Sequence, residues 1–253
     1  NAQKVITISK HARKAIISAY AKSPDDVVVA YPSVSKTTLK PSLTFIKKTH
    51  KKFGIQKPFI LYIGTIQPRK NLIALIEALE VLHRITAGRS LQKKRATATE
   101  TLEKPIQLVL AGKIGWLSDP ILERIAQSPL KEHIITTGFI TQEEKAVLLG
   151  SSSALVLVGL YEGFGIPALE ALMYKTIPVV ARTSSLPEVV GKAGIIVDPE
   201  NPHKIAEGIW KALNQTAQER TRFYTEARTQ LGRFSWEQSA IQIWNTLCEI
   251  ARR

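Results

Sequence analysis

The chain has 253 residues, 44% of them hydrophobic, enough to bury the core of one large or two small domains. Its formal net charge of +14 points to phosphates, an anionic membrane surface or nucleic acid as partners. The one cysteine, Cys248, excludes an internal disulfide and a cysteine cluster for zinc, no apolar run reaches membrane-spanning length, and nothing at the start reads as a signal peptide, so a soluble, cytoplasmic protein is expected.

Most of the basic excess lies at the beginning, where residues 1–57 hold twelve Lys or Arg against Asp25 and Asp26. A strand is predicted over Val5 to Ile8, a helix opening at Ser9 as its N-cap, a turn at Pro24-Asp25-Asp26, and a second strand from Val27 to Tyr31. Pro32 to Pro41, rich in Ser, Thr and Pro, reads as a linker, and a basic helix follows to about Phe53. In that helix Lys47-Lys48 and Lys51-Lys52 form either a solvated face or a patch for peripheral attachment to a membrane.

From Pro58 onward, strands and helices alternate. Strands are predicted at Phe59 to Ile63, Ile106 to Leu110, Ile134 to Thr137, Ala154 to Val158, Ile177 to Ala181 and Ile195 to Val197. Their unbroken apolar character, with helices between, predicts an α/β fold with a Rossmann-like parallel sheet and helices on both faces. Asn71 is the expected cap of a helix whose Leu72, Leu75, Ile76, Leu79 and Leu82 share a face, and Thr141 to Glu144 and Ser235 to Gln238 have the capping-box pattern. Ala87 to Lys104, polar and rich in Thr, Ala and Lys, reads as a mobile surface insertion without chemistry. The last helix, from Trp236, aligns Ala240, Ile243, Trp244 and Leu247.

Two stretches carry chemistry. Leu155 to Glu170, LVLVGLYEGFGIPALE, reads as a buried strand, a glycine loop and a helix with proline in its first turn. At the carboxyl edge of a parallel sheet such a loop is where ligands bind: Gly163 and Gly165 let backbone come close, and the helix start offers unpaired N–H groups to an anion. Glu162 and Glu170 flank it with carboxylates, which accept from the hydroxyls of a sugar or ribose. In the second stretch, a strand ending at Gly64 leads through Thr65 to Arg69 and Lys70 beside a helix start, where two cations and helical N–H groups converge on a diphosphate. Solvated cations ahead of a helix are the plain alternative.

The Glu162-to-Glu170 spacing, with Gly-Phe-Gly and Pro between, resembles the signature of retaining GT-B glycosyltransferases of family 4, the "group 1" family. The likeness extends to Pro58–Asn71, Leu108–Leu117, Gly138-Phe139 and Ser184–Pro199, in the family's order. It implies a chain that forms the carboxy-terminal, donor-binding half of a GT-B fold, with a nucleotide-sugar donor, a weak preference for GDP-mannose, and neither a metal nor a cofactor. It assigns Glu170 to the ribose, Glu162 to the transferred sugar, Lys70 with Arg69 to the diphosphate, and backbone N–H groups of Phe164 and Gly165 to the sugar and diphosphate. Gly138, Phe139 and Ile140 would border the base, although Phe139 reads equally as core. Gly112 and Lys113 end another strand and either edge the cleft or lie on the surface. Many members carry Arg where this chain has Thr65, and Pro-Ser where it has Val158-Gly159.

The same resemblance divides the chain into residues 1–41 (the tail of an amino-terminal GT-B domain, mostly missing, with linker), 42–234 (the nucleotide-sugar domain) and 235–253 (a terminal helix that either crosses back to the amino-terminal domain or packs on its own). No Asp-X-Asp suggests a metal-held diphosphate, His11, His50, His83, His133 and His203 show no ligand spacing, and neither a P-loop nor a Gly-X-Gly-X-X-Gly pattern occurs. Alternatives are a nucleotide-binding module inactive alone and a phosphorylase or sugar-phosphate synthase on the same scaffold; a nucleic-acid protein is a more distant option, with no zinc-finger or RRM-type motif to support it.

Overall fold

A computed structural model describes residues 2–35, 37–93 and 105–251. Strand β1 (Val5–Thr7) pairs in parallel with β2 (Val27–Val29), and helix α1 (Lys10–Tyr20) connects them. Ser9 caps α1 as expected, its side chain accepting from the Ala12 N–H, while Pro24–Asp26 tightens from a turn into one turn of 3-10 helix. Helix α2 (Leu43–Phe53) follows the linker and ends on Gly54 in the left-handed region.

The remaining strands, β3 (Phe59–Ile63), β4 (Gln107–Ala111), β5 (Ile134–Gly138), β6 (Ala154–Leu157), β7 (Pro178–Ala181) and β8 (Ile195–Val197), form one parallel sheet. The sequence expectation meets these bounds to within a residue or so, because β3, β6, β7 and β8 are apolar along their whole length and β4 and β5 carry an apolar run. That character has a visible cause: Phe59, Ile60, Leu61 and Tyr62 of β3 and every residue of β6 and β7 are buried, so both faces of the sheet are covered. Helices α3 (Leu72–Lys93), α4 (Asp119–Gln127) and α8 (Pro202–Leu213) pack together along one side. On the other side α5 (Gln142–Ser151), α6 (Ile166–Met173), α7 (Leu186–Val190) and α9 (Ala217–Leu231) make a connected layer.

The strand order is β5-β4-β3-β6-β7-β8. The chain builds outward from β3 to β5, then returns to pair β6 against the free side of β3, with Ile60 opposite Ala154 and Leu61 opposite Leu155, and builds outward the other way. This reversal opens a crevice between the carboxyl ends of β3 and β6, the position at which open α/β sheets hold ligands. Gly64 to Lys70 and Gly159 to Gly165 are the two walls of that crevice.

Three local expectations are corrected. Helix α3 continues through Lys93, into the segment read as an insertion from Ala87, and positions 94–104 of that segment lie outside the described residues. Asn71 is not a side-chain cap: its backbone is left-handed (φ 55°), and its amide donates to the Val158 and Pro199 carbonyls (3.2 and 2.7 Å), tying the start of α3 to the end of β6. Only its own carbonyl enters the helix, accepting from the Leu75 N–H. Glu170, which the sequence places in the first turn after the glycine loop, is the fifth residue of α6 and so lies a turn inside the helix. The capping box at Thr141 and Glu144 is present with both of its hydrogen bonds.

Helix α10 (Trp236–Ala251) lies against the amino-terminal unit. Ser239 hydroxyl donates to the Tyr31 carbonyl, and Lys4 pairs with Glu249 at 3.1 Å. It buries Ser239 and Thr246, while Ala240, Ile243, Trp244 and Leu247, the aligned face, are exposed. Among the described residues no helix is long and apolar enough to cross a membrane.

Candidate functional site

The crevice is built where glycines let two loops fold against each other. Gly64 ends β3 with φ 153°, and a Cβ there would stand 2.7 Å from the buried Tyr62 hydroxyl, which donates to the Thr65 carbonyl at 3.0 Å. Beside it, a Cβ on Gly112 would meet the Gly64 carbonyl oxygen at 2.1 Å, so the exits of β3 and β4 can run this close only as glycines. Thr65 turns its methyl group onto Gly115. The loop then forms a short 3-10 helix over Pro68–Lys70 that delivers Arg69 and Lys70 to the mouth of the crevice.

The β6 loop comes to meet it. Leu160 N–H donates to the Arg69 carbonyl (3.0 Å), the Arg69 guanidinium donates to the Tyr161 carbonyl (2.7 Å), and Lys70 Nζ donates to Glu162 Oε1 at 2.5 Å. Arg69 also stands 3.6 Å from Glu162 Oε2. Lys70 and Glu162 are both mostly sheltered from water, whereas Arg69 is open to it, so Lys70 is the stronger electrostatic partner. Gly159 lies close beneath this carboxylate, since a Cβ at that position would stand 3.1 Å from Glu162 Oε1. Burial holds the Tyr62 phenol above its ordinary range, and the Glu162 charge adds to that effect.

Ser184 and Ser185, ahead of α7, hold the backbone of the glycine loop. Ser184 hydroxyl accepts from the Glu162 N–H (3.0 Å), and Ser185 hydroxyl is within donating distance of the Glu162 and Phe164 carbonyls (2.8 and 2.9 Å). Phe164 is buried, its ring stacked edgewise among Tyr31 and Phe234, so only its backbone can face a ligand. No acceptor among the described residues takes the N–H of Gly163, Phe164 or Gly165. Gly165, with φ 102°, is the N-cap of α6, so these amides lie at the positive end of a helix.

Glu170 pairs with Lys145 of α5 in a short ion pair. Lys145 was not singled out from the sequence, because it follows a polar Thr-Gln-Glu-Glu run that reads as a solvated first turn. Gly138 (φ 67°) accepts at its carbonyl from the Gly112 N–H (3.0 Å) and so anchors the loop to β4. Ile140 packs against the core, whereas Phe139 is 81% exposed, which removes its reading as a core residue. Lys113 lies on the surface, with its carbonyl accepting from the Ile66 N–H.

The amino-terminal unit closes over the glycine loop. Ile8 reaches Gly163, His11 meets the Tyr161 ring edge-on at 5.7 Å, and the Lys10 N–H donates to Glu188 Oε1 at 3.0 Å. Burial pushes the Glu188 carboxyl up, and that N–H bond at the start of α1 partly offsets it. A cavity of about 580 Å³ opens at the opposite, amino edge of the sheet, lined in part by Lys57, Ser152, Lys175 and Arg220.

Comparison with known proteins identifies the family and the fold. The family model described as "Glycosyl transferases group 1" matches residues 45–230. The O-antigen chain mannosyltransferase B of Escherichia coli is 28% identical over 248 residues, covering 97% of this chain and 60% of that protein. The serotype-specific mannosyltransferase WbdA of the same organism is 29% identical over 248 residues, covering 94% of this chain and 28% of that protein. The crystal structure of Anabaena HepE in complex with UDP and glucose superposes with a TM-score of 0.79 at 18% identity, over 98% of this chain and 63% of that one. The chain thus spans about 60% or less of the length of the curated relatives named here.

Proposed function

This chain belongs to the glycosyl transferases group 1 family, and from that premise we propose that its crevice binds a nucleoside diphosphate sugar for transfer to an acceptor with retention at the sugar carbon. The observation that carries the reading is the meeting of Lys70 and Glu162 across the β3–β6 switch point, beside amides of the glycine loop that have no acceptor among the described residues. Lys70 takes the diphosphate, Arg69 assists from the rim, and the N–H groups of Phe164 and Gly165 complete the anion site. Glu162, released from Lys70 by the incoming phosphates, accepts from hydroxyls of the transferred sugar. Glu170 accepts from the ribose.

Transfer breaks the bond between the sugar carbon and the diphosphate oxygen and joins that carbon to an acceptor oxygen. Negative charge grows on the departing diphosphate, and the fixed cations and amides of the crevice stabilise it more than the ground state. In this reading those groups supply the charge that a metal ion provides elsewhere. The mannosyltransferase names of the two relatives support a mannose-bearing donor, and GDP-mannose is the preferred candidate.

Calorimetric titration with GDP, UDP and ADP, followed by GDP-mannose, tests the reading. One base is expected to bind with affinity around or weaker than micromolar, on the order of −8 kcal/mol. Failure of all three nucleotides to bind would remove the nucleotide site.

A further inference from the structure

Lys145 is a charged group in contact with Glu170 to which the family likeness gave no role. It is the fourth residue of α5, in a first turn fixed by the reciprocal Thr141–Glu144 cap, and its own N–H donates to the Thr141 carbonyl at 2.9 Å. Its ammonium reaches across to α6 and engages Glu170 Oε1. Both side chains are about four-fifths buried, so the contact is screened less than an exposed pair while water still reaches its edge. The other oxygen of Glu170 has no partner among the described residues, yet it is not a sealed, unsatisfied atom.

We propose that Lys145 is the positioning residue for Glu170: it holds one carboxylate oxygen so that the other is presented, in a single rotamer, to the two neighbouring hydroxyls of a ribose. This rests on the assignment of Glu170 to the ribose. A glutamate in the second turn of a helix has three side-chain torsions to restrict before it can accept from two hydroxyls at once, and an ion pair formed in advance removes that cost from binding. The ligand class follows from the chemistry of the free oxygen. A carboxylate only accepts, so it selects a ligand carrying vicinal hydroxyl donors, and it selects against the same nucleotide without them.

The test compares GDP with 2′,3′-dideoxy-GDP, and UDP with 2′,3′-dideoxy-UDP, on the wild-type chain and on Lys145→Met, Lys145→Arg and Glu170→Gln, with thermal melting as a check on folding. Lys145→Met is expected to weaken the ribonucleotide by about tenfold. The same variant should leave the dideoxy nucleotide unchanged to within about twofold. Lys145→Arg should recover most of the ribose preference, a rescue that a purely structural role in α5 would not need. Equal losses for both ligands in Lys145→Met would overturn the proposal, placing Lys145 on another part of the nucleotide or in the fold alone. If Glu170→Gln keeps the full ribose preference, the Glu170 assignment fails and Lys145 falls with it. If Glu170→Gln loses the preference while Lys145→Met keeps it, only the Lys145 proposal is overturned.

Discussion

Lys70 and Glu162, 92 positions apart in the chain, meet at 2.5 Å across the gap where the sheet reverses its order. One residue closes the β3 loop and the other opens the β6 loop, so this contact measures whether the two halves of the sheet are joined correctly. It also places the main cation of the crevice on a carboxylate, where an incoming diphosphate must compete for it.

That competition makes Lys70→Ala informative. The variant should weaken nucleoside diphosphate binding far more than binding of the bare nucleoside, because only the former carries the charge that Lys70 meets. A charge-assisted contact of this kind is worth about 1.5–3 kcal/mol. Isothermal titration with both ligands checks it, and equal weakening would mean that Lys70 acts through the structure of the loop.

Glu170→Gln removes a charge while keeping shape and one acceptor oxygen. Nucleotide affinity should fall by about 1.5–3 kcal/mol with little change in melting temperature, since Lys145 remains more than a tenth accessible and can be hydrated. Unchanged affinity would take Glu170 out of the site.

Gly165 is held at φ 102°, and a Cβ on it would stand 2.6 Å from Leu186 Cδ2, a side chain with no exposure to yield into. Gly165→Ala should therefore cost about 1–3 kcal/mol in urea unfolding. It should also lower nucleotide affinity, because the same backbone turn aims the loop amides. Full stability together with wild-type binding would contradict both parts.

Acid sensitivity follows from Glu144, which is buried against Lys52. Burial alone would raise its carboxyl, but the Lys52 ammonium (2.6 Å) and the Thr141 N–H (2.9 Å) more than reverse that, and its pKa lies below the ordinary value. A carboxyl depressed in the folded state contributes stability above its unfolded pKa, about 4.5, and loses it as pH falls through the folded value. Lys52 is half exposed, so the contribution is under about 1 kcal/mol. Lys52→Met should flatten the acid side of a stability curve measured by denaturant at pH 3 to 7; an unchanged slope would refute the coupling.

Since Lys70 and Arg69 neutralise the diphosphate in the proposed function, nucleotide affinity should be the same in excess EDTA and in millimolar Mg²⁺. A gain of tenfold or more with Mg²⁺ would show that the two cations do not carry that charge.

Local chemistry was legible in the chain itself. Phe59–Ile63 is legible to the residue, because a strand covered on both faces is apolar at each position, and the edge strand Ile195–Val197 is legible as a short β-branched run; the caps at Ser9 and Thr141 announce themselves through hydroxyls placed three residues from the amides they bind. The glycine loops and their flanking charges were visible too, since close backbone approach admits few other residues. Tertiary structure alone decided which charges meet. The Lys145–Glu170 pair, the tie from Asn71 to the ends of β6 and β8, and the hold of Ser184 and Ser185 on Glu162 join residues 22 to 128 positions apart, through side chains of polar types that also suit a solvated turn. Their pairing depends on the side of β3 to which β6 returns, a choice made by packing the whole sheet between two helix layers, and no local pattern of hydrophobicity or capping encodes it.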